Sequence, residues 1–294
     1  MKLITVFTPT YNRASTLKRC YNSLIKQTSK NFLWQIIDDG STDNTEKIVE
    51  QFISDNKLQI IYVKKENGGK ASAINKSLEI TTTDLWVCLD SDDYFFDTAI
   101  ETYEKHYQLV KDSDVICGLF SLRSTREGSP MRGIDIPEDV TYDTQFNIRY
   151  KLKIEPEYVQ VYKTKIISMY RYPQFDGEKY VPLSYVQDQI DQDYKFLIFH
   201  EPTMVCEYRD DGITKNQKML IKRNPKGYTA FKKQHIEIAS DLLFKIKACI
   251  TYDTGCILSR NFKSIFIESP SRILTTIFAP IGLLDYFLRY MTCN

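Results

Sequence analysis

The first 120 residues alternate between short apolar runs and segments in which apolar residues recur at helical spacing. The runs are rich in β-branched and aromatic side chains, which is typical of buried strands. They cover residues 3–7, 32–37, 58–63, 85–89 and 115–120. Apolar residues three and four positions apart predict a helix after each of the first four strands. This alternation predicts the α/β class, with a mostly parallel, doubly wound sheet covered by helices on both faces.

The pattern is less regular after residue 120. Strands are predicted at 158–162 and 196–208, and a helix is predicted between them over 183–192. The acidic stretch 188–193 overlaps the end of this helix, and we interpret it as a solvated face. From residue 213 onward the spacing of apolar residues is helical again.

We predict one continuous domain over residues 1–212, with halves 1–120 and 121–212, followed by a helical extension over 213–294. The domain carries 26 basic and 33 acidic residues, whereas the extension carries 13 and 5. The net charge of the 294-residue chain is +1, so its composition gives no indication of nucleic-acid binding. The basic extension instead suggests a polyanionic or membrane-surface partner.

The end of the extension is apolar but interrupted. Its longest unbroken apolar run, 277–284, counts eight residues and includes Pro280 and Gly282. A membrane-spanning helix needs about 20 apolar residues. The sequence therefore argues against a span and favours a helix in the membrane interface, flanked by Arg272 and Arg289, in peripheral contact with anionic lipid. A helix packed on its own domain is the alternative.

Seven cysteines occur without a Cys-x-x-Cys pair, and several lie inside apolar runs. This pattern favours buried free thiols in a reducing compartment over disulfides or a zinc site. The N-terminus shows no charged segment followed by an apolar signal core. We therefore predict a cytoplasmic protein.

Two of the loops that follow predicted strands carry candidate nucleotide-binding residues. In the loop 8–13, Pro9 stiffens the strand exit and Tyr11 can cover a flat ring. Backbone N–H groups at the next helix start can meet phosphate, although the same residues also form an ordinary turn. In the second loop, Asp38 and Asp39 precede a glycine, and one of them can accept hydrogen bonds from a nucleobase edge. The residues that follow them predict a helix cap, with Asp43 and Glu46 spaced as in a capping box.

The loop after the fourth strand places three carboxylates in four positions, Asp90, Asp92 and Asp93. Unpaired like charges this close repel each other, and a low-dielectric surrounding strengthens the repulsion. A hard divalent cation, Mg²⁺ or Mn²⁺, offers the simplest relief and also bridges nucleotide phosphates. A solvated acidic loop that caps the next helix is the alternative. Because ligands of parallel sheets bind beyond the carboxyl ends of the strands, all three loops should open on one edge.

These motifs resemble glycosyltransferase family 2, whose members have the GT-A fold. The resemblance runs through residues 8–13, 36–43, 67–75 and 89–93 in order and spacing. It implies a nucleotide-sugar donor, commonly UDP-linked, and usually inversion at the anomeric carbon. It also implies a glycan or lipid-linked acceptor in cell-surface polysaccharide synthesis. The halves of the domain would then bind the donor and the acceptor, respectively.

The resemblance also assigns roles by position. Pro9, Tyr11 and Arg13 would line the nucleotide pocket, and Asp39 would contact the base. The ribose and the phosphates would lie near Asn67, Gly69 and Lys70. Asp90 would face the ribose or the metal, Asp92 would bind Mn²⁺ or Mg²⁺ directly, and Asp93 would be secondary.

The later motifs depart from the family pattern. Members often carry Gly-Glu-Asp, whose last carboxylate is the general base, but Lys179 occupies that place here. The resemblance then leaves Glu178 as the first choice for the base and Asp176 as the second. The alternative is that Glu178 is a turn residue or a structural partner for Arg171 or Lys179. Downstream, Asp211 stands near the place of a family histidine and would bind metal or acceptor. Arg209 would neutralise the leaving diphosphate.

Two other functions fit parts of this sequence. A nucleotidyltransferase that forms sugar nucleotides also uses a doubly wound fold, but it usually carries a Gly-rich loop after the first strand, and residues 8–13 contain no glycine. A pseudoenzyme that binds the donor without turnover is consistent with Lys179. The acidic loop argues against it.

Overall fold

The structure, a computed structural model, describes residues 2–131, 134–154, 157–206 and 217–291. The chain forms two compact units. The first comprises Met1–Arg171 and Val186–Tyr208, and the second comprises Tyr172–Tyr185 and Arg209–Asn294. The segment that carries Asp176 and Glu178 therefore groups with the C-terminal helices, whereas the sequence analysis grouped it with residues 121–212.

The elements alternate as the hydrophobic pattern predicts. Up to residue 206 they are β1 (Ile4–Thr10), α1 (Ala14–Ile25), β2 (Phe32–Asp38), α2 (Thr45–Ser54), β3 (Ile60–Lys64), α3 (Lys70–Ile80), β4 (Leu85–Cys88), β5 (Tyr94–Phe95), α4 (Ala99–Gln108), β6 (Ile116–Leu122), β7 (Tyr142–Asp143), α5 (Gln145–Tyr150), β8 (Tyr158–Lys163), α6 (Thr164–Ile167), α7 (Ser184–Asp193), β9 (Lys195–Ile198) and β10 (Met204–Val205). The later helices are α8 (Gln217–Arg223), α9 (Pro225–Glu237), α10 (Leu242–Leu258), α11 (Lys263–Ile267) and α12 (Arg272–Tyr286), which continues as a π-helical turn over Phe287–Met291.

Eight strands of the described chain form one sheet in the order β3-β2-β1-β4-β8-β6-β9-β7. The first four are mutually parallel, β8 is antiparallel to both neighbours, and β9 is parallel to β6. In register, Thr10 lies beside Asp38, and Phe7 lies beside Cys88. The loops after β1, β2 and β4 therefore leave the same edge, as predicted. The α/β class with a mostly parallel sheet and a helical C-terminal part is confirmed.

The core of the first unit lies where the central strands are covered on both faces. Trp34 and Trp86 are buried, and each indole N–H donates to a hydroxyl, Trp34 to Thr8 at 2.9 Å and Trp86 to Ser77 at 2.8 Å. Partnered indole groups make these large side chains fit an interior site. Six cysteines of the described residues are free, and four of them are buried, as the sequence predicts.

Some local predictions were wrong. The strand expected over 196–208 is divided into β9 and β10, with Pro202 between them, because proline cannot donate to a strand ladder. The predicted capping box between Asp43 and Glu46 is also wrong. The Glu46 carboxylate pairs with the Lys64 ammonium at 2.7 Å, and Asp43 accepts the N–H of Thr45 within its own turn.

The acidic stretch 188–193 is solvated only at its end, where Gln192 and Asp193 are exposed. Asp188 and Asp191 are buried, and the Asp191 carboxylate accepts the backbone N–H groups of Gln145 and Phe146 at the start of α5. Burial raises the pKa of Asp191 to about 7. The fold brings α5 against α7, a contact between segments about 45 residues apart that no local pattern reports.

In the second unit, α9, α10 and α11 share a small core of Ile236, Ala248, Cys249, Tyr252, Cys256 and Ile265. The helix Arg272–Met291 is long and apolar enough to cross a membrane by length and composition, with a mean hydropathy of 1.2. The prediction that this helix does not span a membrane rested on the length of the unbroken apolar run alone. Pro280 and Gly282 lie inside α12, so the helix continues through both residues. The length of the unbroken apolar run therefore does not exclude a membrane span.

Candidate active site

The loop after β1 and the loop after β2 are tied together by hydrogen bonds. Asn12 adopts a left-handed backbone conformation with φ of 52°. Its N–H donates to the Ser41 hydroxyl at 2.9 Å, and its side-chain oxygen accepts the N–H of Thr42 at 2.8 Å. The Asp43 carboxylate accepts the N–H of Ala14 at the start of α1. These bonds hold the two loops as one rigid edge.

Three predicted donor-binding residues lie on this edge. Pro9 is half-buried at the end of β1, and the Tyr11 side chain is 49% exposed, so its ring is accessible to a ligand. Arg13 is half-buried at the start of α1, and its N–H donates to the Thr45 hydroxyl at 3.3 Å. Their roles toward a nucleotide stay predictions.

Asp39 joins the second loop to the glycine pair that precedes α3. One carboxylate oxygen accepts the Gly68 N–H at 2.9 Å and the Lys65 ammonium at 2.7 Å, and the other accepts the Gly69 N–H at 2.7 Å. Asp39 is 5% exposed. A nucleobase edge that binds this carboxylate would therefore compete with donors of the protein itself. Gly69, with φ of 83°, adopts a conformation that favours glycine.

The acidic loop is neutralised by two cations. Lys70, the first residue of α3, forms an ion pair with one oxygen of Asp90, and Arg123 lies 3.3 Å from the other. Burial by itself raises the pKa of Asp90, but the charges of Lys70 and Arg123 outweigh it and hold this pKa well below its usual range. Asp90 is therefore an ionised, oriented carboxylate.

Arg123 is a residue of the candidate site that the sequence analysis missed. It follows β6, its side chain is 19% exposed, and it also donates to Asp93 at 2.9 Å. Burial raises the pKa of Asp93; Arg123 opposes this effect, while the charges of Asp90 and Asp92 add to it. A basic residue directly after a buried strand was the available signal, but only the pairing of β6 with β8, and of β8 with β4, brings it to the acidic loop.

Asp92 differs from its neighbours. Its backbone carbonyl accepts a hydrogen bond from Arg19, but its half-buried carboxylate has no hydrogen bond or ion pair within the described ranges. The expectation of three mutually unpaired carboxylates was therefore wrong. Lys70 and Arg123 relieve the repulsion at Asp90 and Asp93, and Asp92 alone keeps a carboxylate available for a ligand.

This arrangement bears on the predicted cation. In the parts of the chain that the structure describes, no three His, Cys, Asp or Glu residues are grouped to hold a metal ion. Mg²⁺ is often held by only one or two carboxylates, with waters and substrate phosphates completing the shell. The accessible carboxylate of Asp92 fits a cation of that kind. Arg209 and Asp211, the other predicted contributors, lie outside the described residues.

The two candidate bases lie in the second unit and differ in their contacts. Both oxygens of Glu178 accept backbone N–H groups at the start of α9, from Lys226 and from Gly227, each at 2.9 Å. Glu178 therefore acts as a helix cap, a structural role that differs from the partners Arg171 and Lys179 considered from the sequence. Asp176 is exposed and makes no such bond among the described residues. The assignment of the base stays a prediction.

A parallel sheet whose carboxyl edge carries a clamped glycine pair and an acidic cluster is typical of α/β proteins that bind a ligand at this edge. The sequence profile described as glycosyl transferase family 2 matches residues 5–170, more than half of the chain. The chain belongs to this family.

Curated relatives match the N-terminal part of the chain. The glycosyltransferase GlyG of Streptococcus pneumoniae serotype 4 is 35% identical over 118 residues, which are 40% of this chain and 38% of GlyG. The putative teichuronic acid biosynthesis glycosyltransferase TuaG of Bacillus subtilis is 31% identical over 48% of this chain and 56% of TuaG. The chain therefore matches about half or less of the length of these relatives.

Solved structures share the fold over nearly the whole chain. TarS 1–349 of S. aureus, in complex with UDP-GlcNAc, matches with a TM-score of 0.58 and 18% identity, over 98% of this chain and 92% of that one. The mannosyltransferase PcManGT of Pyrobaculum calidifontis, in complex with GDP-Man and Mn²⁺, matches with a TM-score of 0.59 and 14% identity, over 97% and 86%. The GT-A fold implied by the sequence is confirmed.

Proposed function

We propose that this protein is a metal-dependent, inverting glycosyltransferase that moves a sugar from a UDP-linked donor to a glycan or lipid-linked acceptor. The observation that carries the proposal is the acidic loop beside the glycine pair, where Asp90 is held by two cations and Asp92 stays available. TuaG, named for teichuronic acid biosynthesis, supports a role in cell-surface polysaccharide synthesis, and TarS, bound to UDP-GlcNAc, supports a UDP-linked donor. A location in the cytoplasm, at the inner face of the membrane, is part of the same proposal.

The donor lies across the carboxyl edge of the sheet in this proposal. Tyr11 covers the base, and Pro9 and Arg13 line its pocket. Asp39 reads the base edge while it orients the loop of Asn67 and Gly69 toward the ribose and phosphates. Its engagement with Gly68 and Gly69 supports the orienting role, because one carboxylate sets the position of both loops.

A divalent cation, Mn²⁺ or Mg²⁺, would be held by Asp92. When bound, it would supply positive charge that stabilises the diphosphate leaving group. Lys70 and Arg123 keep Asp90 ionised and fixed, so that it can face the ribose or the metal. Asp211 and Arg209 keep the roles that the resemblance implies, toward the metal or acceptor and the diphosphate. The complex of PcManGT with Mn²⁺ supports a cation in this fold.

A carboxylate of the segment 176–178 removes the proton from the acceptor hydroxyl, which then attacks the anomeric carbon from the face opposite the diphosphate. A base must reach that proton before its pKa matters. Glu178 already accepts two backbone N–H groups, and this observation favours Asp176, the accessible carboxylate, as the base.

The decisive experiment is donor titration by calorimetry, with UDP-sugars in the presence and absence of Mn²⁺. We expect Mn²⁺ to tighten binding to the wild-type protein and to have no effect on Asp92→Asn, whose affinity without metal should stay the same. Asp112→Asn, which alters an exposed carboxylate after α4, is the matched control. A metal-dependent gain that persists in Asp92→Asn would contradict the assignment of the metal to Asp92.

A further inference from the structure

The helix α12 has an unusual distribution of side chains. Its buried positions hold small residues, Thr275 and Gly282, whereas bulky aliphatic side chains point outward. The exposed fractions are 76% for Ile273, 62% for Ile277 and 55% for Leu284. In a helix of a water-soluble protein the large apolar residues face the core, so this helix has the opposite arrangement.

Six of the exposed apolar residues form one continuous row, here called the outer row. Spacings of three and four place them on the same side of the helix. The outer row consists of Ile273, Ile277, Ile281, Leu284, Leu288 and Met291.

Close packing on α10 explains why the small residues face inward. A Cβ added at Gly282 would lie 2.6 Å from the Cβ of Asp253, so only glycine fits at this crossing. The Thr254 hydroxyl lies 3.1 Å from the Gly282 carbonyl and 2.9 Å from a carboxylate oxygen of Asp285. These contacts fix the rotation of α12 about its axis. The outer row is therefore directed away from α10 by the packing itself.

The charges around the outer row are mostly basic. Between Arg272 and Met291 the charged residues are Arg272, Asp285 and Arg289, and Asp285 is held by Thr254 and by Arg289 at 2.7 Å. Upstream, Arg260 and Lys263 are exposed.

Further apolar side chains lie exposed beside these cations. In and before α11, Phe262, Phe266 and Ile267 are each more than half exposed. Glu268 is exposed as well, but its carboxylate accepts a hydrogen bond from Ser264 at 2.8 Å. The pattern is an apolar surface flanked by exposed cations.

We propose that the outer row, together with Phe262, Phe266 and Ile267, inserts into the interface of a membrane that contains anionic lipid. The helix lies along the membrane plane, because its opposite face packs on α10. Residues 272–291 span about 30 Å, and the apolar row extends along that length. A second copy of the chain fits less well, because pairing two such surfaces would bring like charges together.

The test is flotation of the full chain with vesicles of phosphatidylcholine, with or without phosphatidylglycerol. We expect binding to the anionic vesicles, with weaker binding to neutral vesicles and at high salt. The double variant Ile277→Asp with Leu284→Asp should lower the partition coefficient at least about tenfold. An aspartate cannot replace an aliphatic side chain that is buried in the membrane interface. Leu109→Asp, which alters a side chain 69% exposed in the first unit, should bind like the wild type.

Several outcomes would overturn the proposal. If the double variant floats as well as the wild type, and circular dichroism shows that both are folded, the outer row is not the membrane-binding surface. Resistance of the bound protein to alkaline carbonate extraction would show a spanning helix instead. A lipid-free dimer that the double variant dissociates would assign the surface to a second copy. Donor affinity is measured separately, so failure here leaves the glycosyltransferase proposal intact.

Discussion

Arg123 donates a hydrogen bond to Asp93 at 2.9 Å, across 30 residues of sequence, and the same guanidinium lies 3.3 Å from Asp90. Its Nε also donates to the carbonyl of Tyr158 at 3.2 Å. One half-buried cation therefore supports two carboxylates of the acidic loop and ties that loop to β8. The electrostatics of the candidate site depend on this residue as much as on the acidic motif.

Replacement of Arg123 by leucine should destabilise the protein strongly. The change leaves Asp93 buried without its cation. Removal of one partner of a buried ion pair costs about 3–5 kcal/mol. The free energy of unfolding from urea denaturation provides the measurement. Arg123→Lys should recover part of the loss, because an ammonium restores the charge but not the forked geometry. A loss below about 1 kcal/mol in Arg123→Leu would contradict this account.

Asp176→Asn and Glu178→Gln should separate catalysis from capping. Glu178→Gln weakens two hydrogen bonds to the start of α9 and should lower the free energy of unfolding by about 1 kcal/mol. Asp176→Asn should leave stability unchanged and lower kcat by at least about 100-fold, because a general base contributes that much or more. Thermal melts and steady-state rates of sugar transfer measure the two effects. If only Glu178→Gln abolishes transfer, Glu178 is the base.

Gly40→Ala should weaken donor binding through the loop it supports. Gly40 has φ of 82°, and an added Cβ would lie 3.1 Å from the backbone nitrogen of Asn67. Gly177→Ala is the matched control, since Gly177 has φ of 79° and open space around it. Both variants should lose about 1–2 kcal/mol of stability from backbone strain. Calorimetry should find lower affinity for a UDP-sugar only in Gly40→Ala; equal affinities would show that this contact does not position the donor loop.

Asp253 should make the stability of the protein depend on pH. Both of its carboxylate oxygens are buried without a hydrogen bond among the described residues, and burial raises its pKa to about 8. The unfolded chain has an aspartate pKa of about 3.9. The folded state therefore holds a proton that the unfolded state releases, and stability falls as pH rises from about 4 through about 8.

Asp253→Asn removes this titration and provides the test. At pH 8 it should be more stable than the wild type by more than about 1.4 kcal/mol, the equivalent of one pKa unit. Urea denaturation at several pH values measures the difference. An unchanged pH profile in the variant would show that Asp253 is ionised in the folded protein.

The sequence by itself determined the α/β class, the mostly parallel sheet, the helical C-terminal part and the family. The class, the sheet and the helical part follow from local spacing, whereas the family follows from the resemblance of the motifs. The carboxyl ends of parallel strands must meet at one edge. The order of strands and helices along the chain therefore suffices to place the loops around Asp39 and Asp90 at that edge.

Only the tertiary structure decided which charges meet. Arg123 relieves Asp90 and Asp93, Asp191 is buried against α5, and Glu178 caps α9. The resemblance had singled out Asp92 as the metal ligand, but only the structure gives its carboxylate different contacts from those of Asp90 and Asp93. The tertiary structure also decided that the bulky residues of α12 face outward, because Gly282 is the residue that fits against α10. The free energy of a charge or an apolar side chain depends on neighbours brought together from distant segments, and spacing along the chain does not encode them.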